Sequence, residues 1–276
     1  MPRAESSAWS TWAVIPLLLL VIAHAGAGAT QDAPALERLF ARAQQDPGAV
    51  VALVLQGSRA IRNLDAEHGI QLAQRLQPYC QRLYFSPERL PHEELAGVRL
   101  VPRDRQGFWH ASRRYHLGEA LLSQLNPGAP RRWKVIDGRS TAVVVVVSRG
   151  AQRLLLWRRG VLMGIYPISS GDATHPTPLG TTRISSRVVD PQWRDPDSGV
   201  IHAPHDAGNF LGGYWMGFDA TRDARYRGIG IHGWTAQDES AWVGQAQSHG
   251  CLRLRRQDLP QVFACAWVGS RVVIRP

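Results

Sequence analysis

SHGCLRL, residues 248–254, sets a cysteine between a His-Gly pair and an alternating Leu-Arg-Leu run, and with GIGIHGW at 228–234 it decides how the second half of the chain is read. In GIGIHGW, Ile229 and Ile231 alternate as in a strand, His232 ends the run, and Gly233 lets the backbone turn sharply. Fifteen residues, 233 to 247, separate His232 from Ser248. A loop of that size lets two strand ends lie side by side and brings the imidazole to the Cys251 thiol. An unassisted thiol titrates near about 8.5 and is mostly protonated at neutral pH. A neighbouring imidazole either removes the proton during attack or holds a thiolate–imidazolium pair beforehand. Gly250 leaves the backbone free to bend, so amides from His249 to Cys251 can point to one spot. Such convergent N–H groups stabilise an oxyanion by about 3 to 4 kcal/mol per donor.

Outward from these stretches, the sequence from about 139 has the texture of a mainly β domain. TAVVVVVSRGAQRLLLWRRGVLMGIYPISSG reads as three strands with Arg-Gly corners, Val143 to Val147 being a fully buried strand. SSGDATHPTPLGTTRI is a turn-rich loop and a further strand, RQDLPQVFACAW a short helix, and GSRVVIRP a closing strand. Residues 30–138 read as a small α/β accessory domain. ALERLFARAQ has helical spacing, AVVALVLQG reads as a buried strand, and AEHGIQLAQRLQPYCQRLYF is a helix with Cys80 on its apolar face. Within 98–136, GFWHASRRYHLGEALLSQLNPG resembles the helical part of a LysM peptidoglycan-binding repeat, although Arg105, Gln106 and Gly107 stand where such a repeat opens with Gly-Asp-Thr.

Arg3 precedes WAVIPLLLLVIAHAGAGA, an apolar run of roughly a dozen residues ending in small-x-small sites, so residues 1–29 read as a secretory signal peptide. The address implied is the periplasm; an uncleaved inner-membrane anchor is the alternative. The net charge of +10 is carried by arginine, Lys134 being the single lysine, and favours anionic partners. With no basic-aromatic run, zinc finger or helix-turn-helix pattern, nucleic acid is the weakest of them. Cys80, Cys251 and Cys265 allow at most one disulfide, for which Cys80 and Cys265 are the candidates, and leave a thiol over. No nucleotide, flavin or metal signature appears, so no cofactor is inferred.

Together these residues resemble the catalytic signature of L,D-transpeptidases (the YkuD-type domain): His-Gly, a spacer, then Ser/Thr-His-Gly-Cys. His232 and Gly233 match the first part; Ser248, His249, Gly250 and Cys251 match the second, and Arg253 matches a frequent Arg. THPTPLGTTRI, DPQWRDP, GNFLGGYWMGF and the ending DLPQVFACAWVGSRVVIRP follow in family order, over 139–276. Phe210 departs from the usual Pro, and WTAQDESAWVGQAQ from the usual loop.

The resemblance implies a mixed-β fold with a short helix and a cysteine acyl-enzyme formed on peptidoglycan stem peptides. Cys251 attacks the third residue and releases terminal D-Ala. An amine, from a second stem (3-3 crosslinking) or a lipoprotein lysine, then resolves the thioester. By the same resemblance His232 is the base, the Gly233 carbonyl orients it, and His249, Gly250 and Cys251 supply oxyanion amides. Arg253 and Ser248, with Tyr214 and Trp215, contact substrate, and carbapenems are covalent inhibitors. The competing readings are a hydrolase using the same cysteine, a non-catalytic wall-binding protein, and a metal hydrolase built on His202, His205, His232 and His249.

Overall fold

The computed structural model describes residues 33–136 and 143–276. The signal-peptide stretch and the expected boundary near 138 lie outside the described residues.

The second half opens with three strands: β3 (Val143–Ser148), β4 (Arg153–Arg158) and β5 (Val161–Gly171). Arg159 and Gly160, both at positive φ, form the two-residue turn from β4 to β5. β6 (Gly180–Val189) and β9 (Tyr214–Phe218) flank a short hairpin of β7 (Trp193–Arg194) and β8 (Ile201–His202). β10 (Gly230–His232), β11 (Ala246–Ser248), β12 (Leu252–Leu254), helix α6 (Leu259–Cys265) and β13 (Arg271–Arg275) complete the chain. The main sheet runs β11-β5-β12-β10-β9-β6-β13-β3-β4, and β4 also pairs with β5, so the sheet closes on itself. Closure falls to β5 because it is long: residues 161–167 pair with β4, and residues 168–171 with β12 and β11. The mainly β fold expected of this half is present. β3 differs in detail: Val143, Val145 and Val147 are buried while Val144 and Val146 are half-exposed, so it alternates and is not buried on both faces.

The first half is more helical than expected. α1 (Ala33–Gln45), α2 (Pro47–Asn63) and α3 (Ala66–Phe85) precede a strand–helix–helix–strand unit of β1 (Val98–Pro102), α4 (Gly107–Tyr115), α5 (Glu119–Leu125) and β2 (Arg132–Ile136). AVVALVLQG is therefore helix and not strand. Asp46 caps α2 by accepting from Gly48 N–H, and Pro47 occupies the first turn, where its missing N–H costs nothing. β1 and β2 are antiparallel, with Val98 opposite Ile136.

α2 and α3 lie on the first half of β5 and share one apolar core with the barrel, Leu53, Leu76 and Leu83 being fully buried. Each such side chain contributes about 2 kcal/mol. Polar stitches fix the register: Leu162 N–H donates to Ser58 Oγ at 2.9 Å, Ile165 N–H to Gln77 Oε1 at 2.8 Å, and Cys80 Sγ–H to the Leu162 carbonyl at 3.4 Å. Lys134 is also fully buried, 3.2 Å from Glu93. All three cysteines are free, so Cys80 and Cys265 do not pair. Among the described residues no helix is long and apolar enough to cross a membrane.

Candidate active site

Parallel pairing of β10 with β12 sets His232 opposite Arg253 and Ile231 opposite Leu252. Cys251, one residue before β12, therefore shares the face of His232 and Arg253. A strand spacing of about 4.8 Å and a two-residue offset of about 6.6 Å put the Cα atoms of His232 and Cys251 roughly 8 Å apart. That is a distance two inward-leaning side chains can span. Trp215, opposite His232 on β9, lies on the same face and stacks on the imidazole at 5.8 Å between centroids.

His232 is buried, and its Nδ1 meets the Gly233 carbonyl. A carbonyl only accepts, so Nδ1 carries the proton and Nε2 keeps its lone pair. Burial, then the nearby Arg253 charge, lowers the His232 pKa to about 4, against the opposing Gly233 hydrogen bond. Cys251 is half-exposed and its Sγ–H points to the Gly228 carbonyl at 3.6 Å. Desolvation pushes the thiol up to about 11, while a backbone hydrogen bond from Gly230 and the charge of Arg253 pull it down. At neutral pH these shifts leave both groups uncharged, a thiol and a neutral imidazole, on one face of the sheet.

The turn before Cys251 is held from beneath. Ser248, fully buried, accepts from Gly250 N–H at 3.1 Å and donates to the Cys251 carbonyl at 2.5 Å. Two expectations change as a result. Ser248 braces the turn and faces the interior, and the Gly250 amide is occupied by a hydroxyl instead of pointing to an oxyanion. Thr177 Oγ1 donates to the Gly250 carbonyl at 2.7 Å and accepts from Gly171 N–H at 2.9 Å. Gly250 sits at φ +107°, where an added Cβ would lie 2.7 Å from Ile229 Cδ1. A Cβ on Gly171 would meet the His175 carbonyl at 2.1 Å, so loop, strand end and turn approach as bare backbone.

Arg253 lays its guanidinium on Trp234, 3.6 Å from the ring centroid, and Nη1 donates to the Gln247 carbonyl at 3.4 Å. Its Nε is buried and unpartnered among the described residues, and burial lowers its pKa to about 10. Trp234 also packs edge-on against Phe210 and Trp193. Both Phe210 and Trp234 stand where the chain departs from the usual pattern, and together they wedge the β7–β8 hairpin beside the site. Asp197 at the hairpin tip lies 3.8 Å from His249 Nδ1, so the hairpin reaches across to the turn before Cys251. Tyr214 points to the opposite face and packs on Phe263 of α6 at 4.6 Å, away from His232.

The four histidines of the metal-hydrolase reading do not converge. His202 stacks on Trp193, His205 lies near Asp190, and His232 faces Gly233. Sequence reasoning missed the residues that hold the turn, Thr177 and Gly171, and the aromatic wedge of Trp193. The contacts that join Thr177 to Gly250 and Trp193 to Trp234 span tens of residues and leave no local pattern.

Residues 142–274 match the family model of the L,D-transpeptidase catalytic domain, YkuD. The putative L,D-transpeptidase YqjB of Bacillus subtilis is 31% identical over 130 residues, covering 47% of this chain and 69% of that protein. The probable L,D-transpeptidase YbiS of Escherichia coli is 24% identical over 184 residues, 57% of this chain and 56% of that protein. The chain thus spans between 56% and 69% of these two curated relatives. A crystal structure of an L,D-transpeptidase from Mycobacterium tuberculosis aligns with 54% of this chain and 63% of its own, at 21% identity and a TM-score of 0.39.

Proposed function

Because the chain belongs to the L,D-transpeptidase family, we propose that it exchanges peptide bonds in peptidoglycan stems through an acyl group carried on Cys251. The observation that carries the reading is the β10–β12 pairing, which sets a thiol and a Nδ1-protonated imidazole on one face. In the first step the Cys251 sulfur attacks the carbonyl of the third stem residue, and its proton passes to His232 Nε2. The amides of His249 and Cys251 receive the developing oxyanion. The C–N bond to the terminal D-Ala breaks, its amine takes the proton from His232, and a thioester remains. In the second step an acceptor amine attacks the thioester and gives its proton to His232, which returns it to the sulfur. Trp215 and Arg253 share the face of His232, and the Arg253 charge suits a stem carboxylate.

The acceptor is a second stem amine or a lipoprotein lysine, and carbapenems acylate the same sulfur. The chain works in the periplasm after export by residues 1–29, and residues 98–136 hold the enzyme to the wall as the LysM-like resemblance implies. Incubating purified protein with a carbapenem and reading its intact mass tests the chemistry: one adduct, mapped to Cys251, is expected. No adduct at any concentration overturns the enzymatic reading in favour of a wall-binding protein. Muropeptide analysis of sacculi treated with the protein, with and without an added amine, then identifies the acceptor.

A further inference from the structure

Beside the nucleophile turn, on the far side from His232, stand two more imidazoles. Asp172 and His175 belong to the loop after β5, and His249 to the turn itself; one ligand atom from each lies within 4.8 Å of the others. The His175 and His249 rings are 4.8 Å apart between centroids. We propose that Asp172, His175 and His249 form a binding site for a borderline divalent cation of the Zn²⁺ class.

Local hydrogen bonding already arranges the donors. Asp172 Oδ1 accepts from Thr174 N–H at 2.8 Å, from the Thr174 hydroxyl at 2.8 Å and from His175 N–H at 2.6 Å, which leaves Oδ2 open. Thr174 has one hydroxyl proton and gives it to Asp172, so at 3.0 Å its oxygen accepts from His175 Nδ1–H. His175 Nε2 therefore carries the lone pair. A hydrogen bond on one ring nitrogen that frees the other for metal is the usual second layer of such sites. The loop and turn are bound to each other by the Asp172 N–H to Ser248 carbonyl bond at 2.9 Å and by Thr177 Oγ1 to Gly250. The donors thus hang from one braced backbone unit. Ligand atoms around tetrahedral zinc sit about 3.3 Å apart, inside the 4.8 Å that now encloses one ligand atom from each residue, so binding would draw these side chains inward. Two imidazoles and one carboxylate with open positions select Zn²⁺, Ni²⁺ or Cu²⁺ over Mg²⁺ and Ca²⁺. Asp197, at 3.8 Å from His249 Nδ1, adds negative charge at the rim.

Titration calorimetry with Zn²⁺ on the Cys251→Ser chain tests the site with the reactive thiol removed. One Zn²⁺ per chain is expected, with affinity at least about 10-fold weaker in Cys251→Ser/His175→Ala and weaker again with Asp172→Asn, which keeps the Oδ1 turn intact. Zn²⁺ raises the melting temperature of Cys251→Ser and raises that of the His175→Ala double variant less at the same concentration. Absence of binding to Cys251→Ser, binding indifferent to His175→Ala, or Mg²⁺ binding as tightly as Zn²⁺ overturns the proposal. The readout is binding, so failure here leaves the acyl-transfer reading untouched, and failure of that reading leaves this one standing.

Discussion

Along its first seven residues β5 lies against α2 and α3, which hydrogen-bond the backbone of Leu162 and Ile165; along its last four it supports the turn before Cys251 through backbone alone. The helical end is stabilised by apolar burial with a few interior hydrogen bonds. The end that carries Cys251 uses glycines, a serine and a threonine to bring three backbone segments together. The two ends therefore differ in what a substitution does: at one it lowers stability and spares the site, at the other it spares the fold and disables the site.

The largest test of that contrast is Cys251→Ala. Acyl transfer should fall by on the order of 10⁴-fold or more, with thermal unfolding unchanged, as measured by muropeptide turnover and calorimetry. A cysteine substitution that also lowered the melting temperature by many degrees would erase the distinction between the two ends.

His232→Gln comes next, with a loss of roughly 10²- to 10⁴-fold in acylation rate. In the parent protein the rate should stay level as pH falls through the ordinary histidine range and drop only near about 4, where His232 takes up a proton. The stability sign follows. The unfolded chain protonates this residue below about 6.5 and the folded chain resists until about 4, so stability is lost as pH falls across that window. Urea titrations at a series of pH values should show this loss reduced in His232→Gln.

At the helical side, Glu93→Gln leaves the buried Lys134 ammonium without its counter-charge. A loss of about 3 kcal/mol in unfolding free energy is expected, with acylation per folded molecule unchanged. Smallest is Gly57→Ala, whose new Cβ would lie 2.5 Å from Leu76 Cδ1, the movable end of a side chain. It should cost about 1 kcal/mol by equilibrium unfolding, again without effect on acylation.

How much of this was legible depended on range. β10 and β12 read correctly as strands because His232 ends one short alternating run and Cys251 stands just before the other, each beside a glycine. The helix AEHGIQLAQRLQPYCQRLYF read correctly because twenty residues of three-four spacing leave little choice. AVVALVLQG was misread because a nine-residue apolar run fits either period; the Asp46-Pro47 start signal before it was the clue that favoured helix. The Gly250 amide was assigned to an oxyanion because the sequence does not reveal that the buried Ser248 hydroxyl turns back on it. The neighbourhood of Asp172, His175 and His249 was illegible because β11 pairing with β5, across more than seventy residues, creates it.

The burial of Lys134 has a practical consequence. It is the chain's single lysine, so the folded described surface presents no ε-amine. Succinimidyl dyes will accordingly tag the native protein at its α-amino group alone, and colour appearing at position 134 becomes a built-in gauge of how often the β1–β2 pair opens.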